Sequence, residues 1–388
     1  MNFALLGVDD ESLPLAAAAV AAGHALVWQG DLGAAPVTSL GGLSGVEDNA
    51  EQWEDLLVAD TADAVIIGRG TRSEELRTRQ VQELARLGRP MLVTFPLFDS
   101  VLTYFEIDMS RTEGKSVLQH YNPLCWAASL RGISTPADGD HPKFGRVEQI
   151  AATRWLSDRN RPEVLRHFAR DVELLGQVAG KLNRIGAHAA AGSTADYSAL
   201  SVQLLGSGER PVRWSVEPPE SAEGLSLTFI CERGRETVAF DAAGRITTES
   251  SEEIAAAAIA RFVPDVAAND DAASTWPEAL HAMELADSIE ISLRRGRMID
   301  VHDQQLTEQL AFKGTMAAAG CGLLMVLIPA TLFVGWVAGL MGVPVAEYWP
   351  HVLLLILTLF LGVQFLPKLL YDAPSKRDDS ENGGPAGR

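Results

Sequence analysis

The sequence predicts an α/β protein: a doubly wound parallel sheet, then an α+β domain built on an open-faced antiparallel sheet, then two transmembrane helices. Three observations predict it. Short apolar runs alternate with helix-forming stretches over residues 1–119, as in a parallel sheet covered on both faces. Runs of period two, separated by Pro and Gly, follow over residues 120–310 and fit a sheet with one covered face. Residues 313–371 then carry two long apolar stretches, before a polar tail at 372–388.

The first domain reads in order. Residues 3–7 (FALLG) form an apolar run that stops at a glycine. Residues 12–22 are rich in Ala and Leu and read as a helix, with Asp10 or Ser12 as its N-cap and Gly23 at its end. Residues 24–29 (HALVWQ) read as a second strand, closed by Gly30 and Asp31, and a glycine-rich loop, TSLGGLSG, follows. Residues 53–58 read as helix and 63–68 (DAVIIG) as a buried strand. Helix formers at 73–87, capped by Gly88, lead into a strand at 90–95 (PMLVTF). A strand, turn and helix with an acid closing the second strand is the layout of a Rossmann-like dinucleotide-binding domain. The glycine fingerprint of that layout would fall at Gly7, Asp9 and Ser12, and only Gly7 is a glycine. Asp9, Asp10 and Glu11 put three acids where two phosphates would sit. Asp31 stands either as the ribose-binding acid or as a surface loop acid.

The second domain opens with an extended run at 143–156 and a helix at 162–178. Strand-like runs follow at 184–189, 201–205, 212–216, 225–231 and 237–240. Leu225, Leu227, Phe229 and Cys231 alternate with Ser226 and Thr228, as on a half-covered antiparallel sheet. Helices at 251–262 and 277–295 are separated by an acidic linker at 265–274. In the 162–178 helix, Val164, Leu165, Phe168, Val172 and Leu175 make one apolar stripe. Asp171 lies at its edge with His167 beside it, one turn apart and within reach of a hydrogen bond. The two are either an acid/base pair or a satisfied polar pair at a helix–sheet boundary. Arg166 and Arg170 flank them, facing an anion or solvent. His120, Tyr121 and Asn122 end a strand at the domain junction. His141 has no second ligand nearby, and Cys125, Cys231 and Cys321 show no metal spacing, so no metal is expected.

No charged residue occurs from 315 to 346, and a second apolar run starts at Val352. Arg294, Arg295, Arg297 and Lys313 precede the first stretch, and Lys368, Lys376 and Arg377 close the second, while the connector VPVAEYWPH has neither Lys nor Arg. The positive-inside rule then places the soluble part and the C-terminus in the cytoplasm, on an inner (cytoplasmic) membrane. Tyr348 and Trp349 suit the opposite interface. Gly335 and Gly339 form a GxxxG through which two spans, or two protomers of a homo-oligomer, can approach. The tail from Ala373 reads as disordered. The N-terminus has no basic n-region and does not read as a signal peptide. A net charge of -19 without a basic stripe argues against nucleic acid as a partner.

Three segments carry a family resemblance over roughly residues 1–305: EQWEDLLVADTADAVIIG, LARLGRPMLVTFPL and MELADSIEISLRRGRMIDV. In this order and spacing the chain resembles the Gfo/Idh/MocA family of oxidoreductases. The resemblance implies an N-terminal Rossmann domain binding NAD or NADP, a second domain on an open-faced sheet, and a sugar or polyol as the small-molecule substrate. It places the cofactor against Gly7, Asp31, Gly68 and Pro96. It also implies a Glu-Lys-Pro motif, whose lysine polarises the reacting oxygen; Thr94, Phe95 and Pro96 stand there, so the lysine is a phenylalanine. Arg69 and Arg72, after the DAVIIG strand, are the substitute cations. The family's Asp-x-x-x-His pair corresponds to His167 and Asp171 in reverse order, which makes these two the catalytic candidates. Two functions follow: a membrane-anchored NAD(P)-dependent oxidoreductase, or a catalytically inactive descendant acting as a ligand sensor or membrane scaffold.

Overall fold

The structure, a computed structural model, describes residues 1–32, 52–58, 61–133, 140–141, 143–189, 197–206, 210–246 and 249–301, with residues 333, 336, 337 and 340 beyond them. The chain divides into two compact units, Met1–Asp303 and Gln304–Arg388. Among the described residues no helix is long and apolar enough to cross a membrane. Apart from residues 333, 336, 337 and 340 in the first of them, the two expected spans lie outside the described residues, as do the GxxxG glycines, the polar tail and the TSLGGLSG loop.

The first sheet holds β1 (Asn2–Leu6), β2 (Ala25–Gly30), β3 (Ala64–Ile67), β4 (Met91–Thr94) and β5 (Leu118–Tyr121). All pairings are parallel, in the order β2-β1-β3-β4-β5. Phe3 to Leu6 and Ala64 to Ile67 are buried, as continuous apolar runs must be when helices cover both faces. The connections carry α1 (Ser12–Ala21), α2 (Glu74–Arg86) and α3 (Val101–Gly114), and a 3₁₀ turn at Trp53–Leu57. The order reverses between β1 and β3, so a crevice opens beyond their carboxyl ends. Neither α3 nor α4 (Pro123–Leu130) was expected from the sequence.

The second sheet is mixed, which corrects the antiparallel expectation. It comprises β6 (Asp140–His141), β7 (Gly145–Trp155), β8 (Leu182–His188), β9 (Ser201–Gly206), β10 (Pro211–Glu217), β11 (Gly224–Cys231), β12 (Gly234–Asp241) and β13 (Ile299–Asp300). The order is β12-β11-β7-β10-β9-β8-β13, with β6 beside β7. Between β7 and β8 runs α5 (Arg161–Ala179), a crossover that keeps the two strands in one direction. Two hairpin steps return the chain from β8 through β9 to β10, and β10 therefore pairs parallel with β7.

Two long helices tie this domain to the first. In α6 (Ser251–Ala268) a capping box joins Ser250 and Glu253, and the helix continues through Pro264 to Asn269 in the left-handed region. The expected linker at 265–274 is therefore shorter, because the last turn of α6 occupies its start. Helix α6 packs on α1, and α7 (Trp276–Arg295) packs on α3, α5 and β8. Trp276 stacks on Tyr104 with ring centroids 4.8 Å apart and donates its indole N–H to the Tyr104 carbonyl at 3.0 Å. A stacked, hydrogen-bonded aromatic pair at this seam adds directional contacts to the area it buries.

Candidate functional site

The crevice begins at the turn after β1. Gly7 has a φ of 80°, and a Cβ there would meet the Gly68 carbonyl and the Arg77 guanidinium. A Cβ on Gly68 would lie 2.6 Å from the Ser12 hydroxyl and 2.8 Å from the Gly7 carbonyl. The ends of β1 and β3 thus need glycine to pack against each other.

Asp9 fills the space above them. Its Oδ1 accepts from the backbone N–H groups of Glu11 (3.1 Å) and Ser12 (2.7 Å), at the start of α1. Its Oδ2 accepts from the Arg69 backbone N–H (2.8 Å) and from the Thr94 hydroxyl (2.8 Å). One carboxylate therefore joins the carboxyl ends of β1, β3 and β4. The helix start is satisfied by Asp9, neither by Asp10 nor by Ser12 as expected, because Asp9 can fold back over its own turn.

Asp31 is buried, with a φ of 59°, which excludes a surface acid. It forms a short ion pair with buried Arg77, and its Oδ1 accepts from the Thr71 N–H (3.2 Å) and hydroxyl (2.8 Å). Arg77 also donates to Gln80 at 2.9 Å. Phe95 is 2% exposed, its ring edge-on to Tyr104 (6.0 Å) and His120 (5.2 Å). Pro96 follows it through a cis peptide bond and is partly buried.

Successive turns of α5 close over this edge. Arg166 pairs with Glu163 (2.8 Å) and reaches Asp99 (3.5 Å), in the loop after β4. Arg170 pairs with Glu11 after β1 at 2.5 Å. Glu173 meets His120 of β5 at 2.7 Å and accepts from Asn122 at 2.8 Å. Arg69 turns its side chain to Asp99 (3.1 Å) and the Leu97 carbonyl (3.5 Å), and Arg72 is exposed.

His167 and Asp171 take different partners from those expected. Asp171 accepts from Arg154 Nε at 2.9 Å, forms a second, short bond to the same guanidinium, and accepts from Trp214 Nε1 at 2.8 Å. His167 pairs with Glu163 at 3.2 Å, and its Nδ1 is buried without a partner among the described residues. A charged guanidinium with two parallel N–H groups outcompetes a neutral imidazole for a carboxylate. His141 lies elsewhere, 2.5 Å from Glu236.

Burial sets the charges. It pushes the Glu11 carboxyl up to about 7, against the pull of Arg170. It holds the His167 pKa below the ordinary value despite the hydrogen bond His167 makes to Glu163. Burial also lowers His120, but the Glu173 charge and hydrogen bond outweigh it, and the His120 pKa is raised. The Glu173 pKa is lowered: burial raises it, and His120 and Asn122 more than reverse that. Sequence reasoning missed the partners Arg77, Arg154, Glu173 and Thr94, which lie far along the chain from the acids and histidine they meet. Glu173 offered one signal, three residues beyond Arg170 on the same helix face.

No family model matches the sequence, and no curated protein matches it. Solved structures do resemble the fold. A myo-inositol dehydrogenase from Corynebacterium glutamicum ATCC 13032 superposes with a TM-score of 0.60 at 15% identity, covering 78% of this chain and 99% of its own. The WlbA dehydrogenase of Chromobacterium violaceum, in complex with NADH and UDP-GlcNAcA, gives 0.59 at 18%, covering 78% and 96%. GenD2 from gentamicin A biosynthesis, in complex with NAD, gives 0.62 at 16%, covering 78% and 96%. The class is therefore one of architecture: a parallel Rossmann-like sheet plus a mixed-sheet domain, as in Gfo/Idh/MocA-type dehydrogenases.

In a Rossmann domain the pyrophosphate lies on the N-terminus of the first helix, and an acid takes the ribose. Here Asp9 holds the N–H groups and Arg77 with Thr71 holds Asp31. As folded, these residues do not fit a dinucleotide in that position.

Proposed function

We propose that this chain is a membrane-tethered descendant of the sugar and polyol dehydrogenase fold, which keeps the two-domain body as a ligand-binding unit and transfers no hydride. Phe95 carries the reading. A phenyl ring neither donates a hydrogen bond nor bears charge, so negative charge developing on a substrate oxygen goes unstabilised there. Losing one such group costs about 2.7–4 kcal/mol, roughly 100- to 1,000-fold in rate. The substitute cations are engaged elsewhere, Arg69 with Asp99 and Leu97, or exposed, in the case of Arg72. NAD or NADP is the cofactor the family resemblance implies, two of the neighbours are complexes with NADH or NAD, and weak affinity is expected for it here. The test is single-turnover reduction of NAD(P) by the purified full chain across sugars and polyols. No signal is expected, and measurable turnover with any of them would sink the reading.

A second reading, the NAD(P)-dependent oxidoreductase, is favoured by Glu11. A carboxyl poised near 7 between two domains has the acidity of a general acid/base at neutral pH. Under it, Glu11→Gln abolishes turnover. His167 and Asp171 remain proposals of the resemblance alone: turnover that survives His167→Ala removes His167 from the mechanism.

The tether rests on the uncharged 315–346 stretch, the run from Val352 and the Lys/Arg asymmetry around them. This implies a lipid bilayer partner and a cytoplasmic soluble part, with the GxxxG offering a homo-oligomer contact. A reporter fused after Arg388 should be active as a cytoplasmic reporter, and activity across the membrane would refute the hairpin.

A further inference from the structure

We infer that the Asp9 carboxylate is a built-in occupant of the phosphate seat, so that the crevice is liganded by its own chain. The inference deepens the proposed function but rests on a different residue. A carboxylate has about four lone-pair sites, and all four here have a donor: Glu11 N–H, Ser12 N–H, Arg69 N–H and the Thr94 hydroxyl, at 2.7–3.1 Å. Two of these belong to the start of α1. The other two come from the ends of β3 and β4, separated from Asp9 by 60 and 85 residues, so the arrangement is more than a local helix cap. A bound phosphoryl group would need the same donors. It would also stand beside Asp9 and Asp10, and like charges at such range repel.

The chemistry of the displaced ligand follows. Asp9 stands where the fingerprint has its second glycine, the residue that lets backbone approach a pyrophosphate. Removing its side chain vacates two helix N–H groups, a strand-end N–H and a hydroxyl, which form a receptor for pyrophosphate. Asp31 and Arg77 still fill the ribose position in such a variant, so the probe must be inorganic pyrophosphate and not the whole dinucleotide.

The experiment uses the full chain as wild type, Asp9→Gly and Asp9→Asn, with calorimetric titration of inorganic pyrophosphate and thermal melts at fixed anion. Wild type should show no saturable binding. Asp9→Gly should melt lower, bind pyrophosphate at least about ten-fold tighter than wild type, and regain melting temperature with the anion, since ligand that binds the native state stabilises it. Asp9→Asn, which keeps the volume, should respond less than Asp9→Gly. If Asp9→Gly does not fold, Asp9→Ser retains a cap for the first turn and should bind in its place. Equal pyrophosphate binding by wild type and Asp9→Gly would overturn the inference, as would a folded glycine or serine variant that ignores the anion. Hydride transfer is read separately by turnover, so failure of one reading is distinguishable from failure of the other.

Discussion

Consider the replacement of Asp171 by asparagine. The carboxylate is fully buried and the Arg154 side chain is 2% exposed, so Asp171 balances the guanidinium charge in a site with little access to water. An amide can receive one of its N–H groups but cannot balance its charge. Breaking a buried pair from one side costs about 3–5 kcal/mol. The exposed pair of Arg86 with Glu83, at 48% and 39% exposure, belongs to a class worth roughly 0–1 kcal/mol. For a domain of this size a loss of 3–5 kcal/mol lowers the melting temperature by on the order of 10 °C. The assay is urea unfolding followed by tryptophan fluorescence, where the midpoint should fall at an unchanged slope. Trp214→Phe removes one neutral donor to the same carboxylate and should cost about 1.5–3 kcal/mol. Replacing both charges, Arg154→Met with Asp171→Leu, should recover most of the loss, since an apolar pair of similar volume is often neutral. His167→Ala, at the cleft edge, should cost less than either single change. An Asp171→Asn chain within about 0.5 kcal/mol of wild type, the range of ordinary surface substitutions, would refute the structural assignment and return Asp171 to the catalytic candidates.

Three further outcomes follow from the charges. Glu11 has a raised pKa, so the folded state binds its proton more tightly, and the stability this contributes is lost as pH rises from the ordinary 4.5 through about 7; in pH-dependent melts, Glu11→Gln should flatten that decline. His167 is shifted the opposite way, so its contribution is lost as pH falls through its ordinary range near 6.5, and an NMR titration should place its midpoint below that value. The His120–Glu173 pair is stabilising between the two partners' transitions: it weakens as pH rises through the raised His120 pKa and as pH falls through the lowered Glu173 pKa. His120→Gln should remove the alkaline limb of this profile, and an unchanged limb would show that the pair is not ionised.

The legible parts of this molecule are those written in local pattern. The four apolar strands β1 to β4, the stripe on α5 and the alternation in β11 each repeat at the spacing of their own element, and the structure places them as read. Helix α3 escaped because VLTYFEIDMSRTEG divides its apolar residues between a buried face, with Tyr104 and Ile107, and an outer one, with Leu102 and Met109. The parallel pairing of β7 with β10 escaped because it follows from the number of strands between them and not from either strand's composition.

The site was legible as a set of residue types and not as a set of partners. Its acids stand out in the sequence, and a loop of three acids reads there as phosphate repulsion. The structure shows Asp9 drawn inward to donors at the start of α1 and the ends of β3 and β4, and Glu11 drawn to Arg170, while Asp31 is paired with Arg77. The partners Thr94, Arg170 and Arg77 each lie 46 or more residues away, beyond any helical or strand period. Negative charge at this turn thus has a positive structural role: it replaces a ligand's phosphates with carboxylates of the chain itself. The same logic joins the pieces that looked like separate losses. With neither a ligand nor Asp9 to complete it, the crevice between β1 and β3 would leave helix N–H groups unsatisfied, at a cost of about 1–3 kcal/mol each. Asp9 removes that cost in the chain as folded.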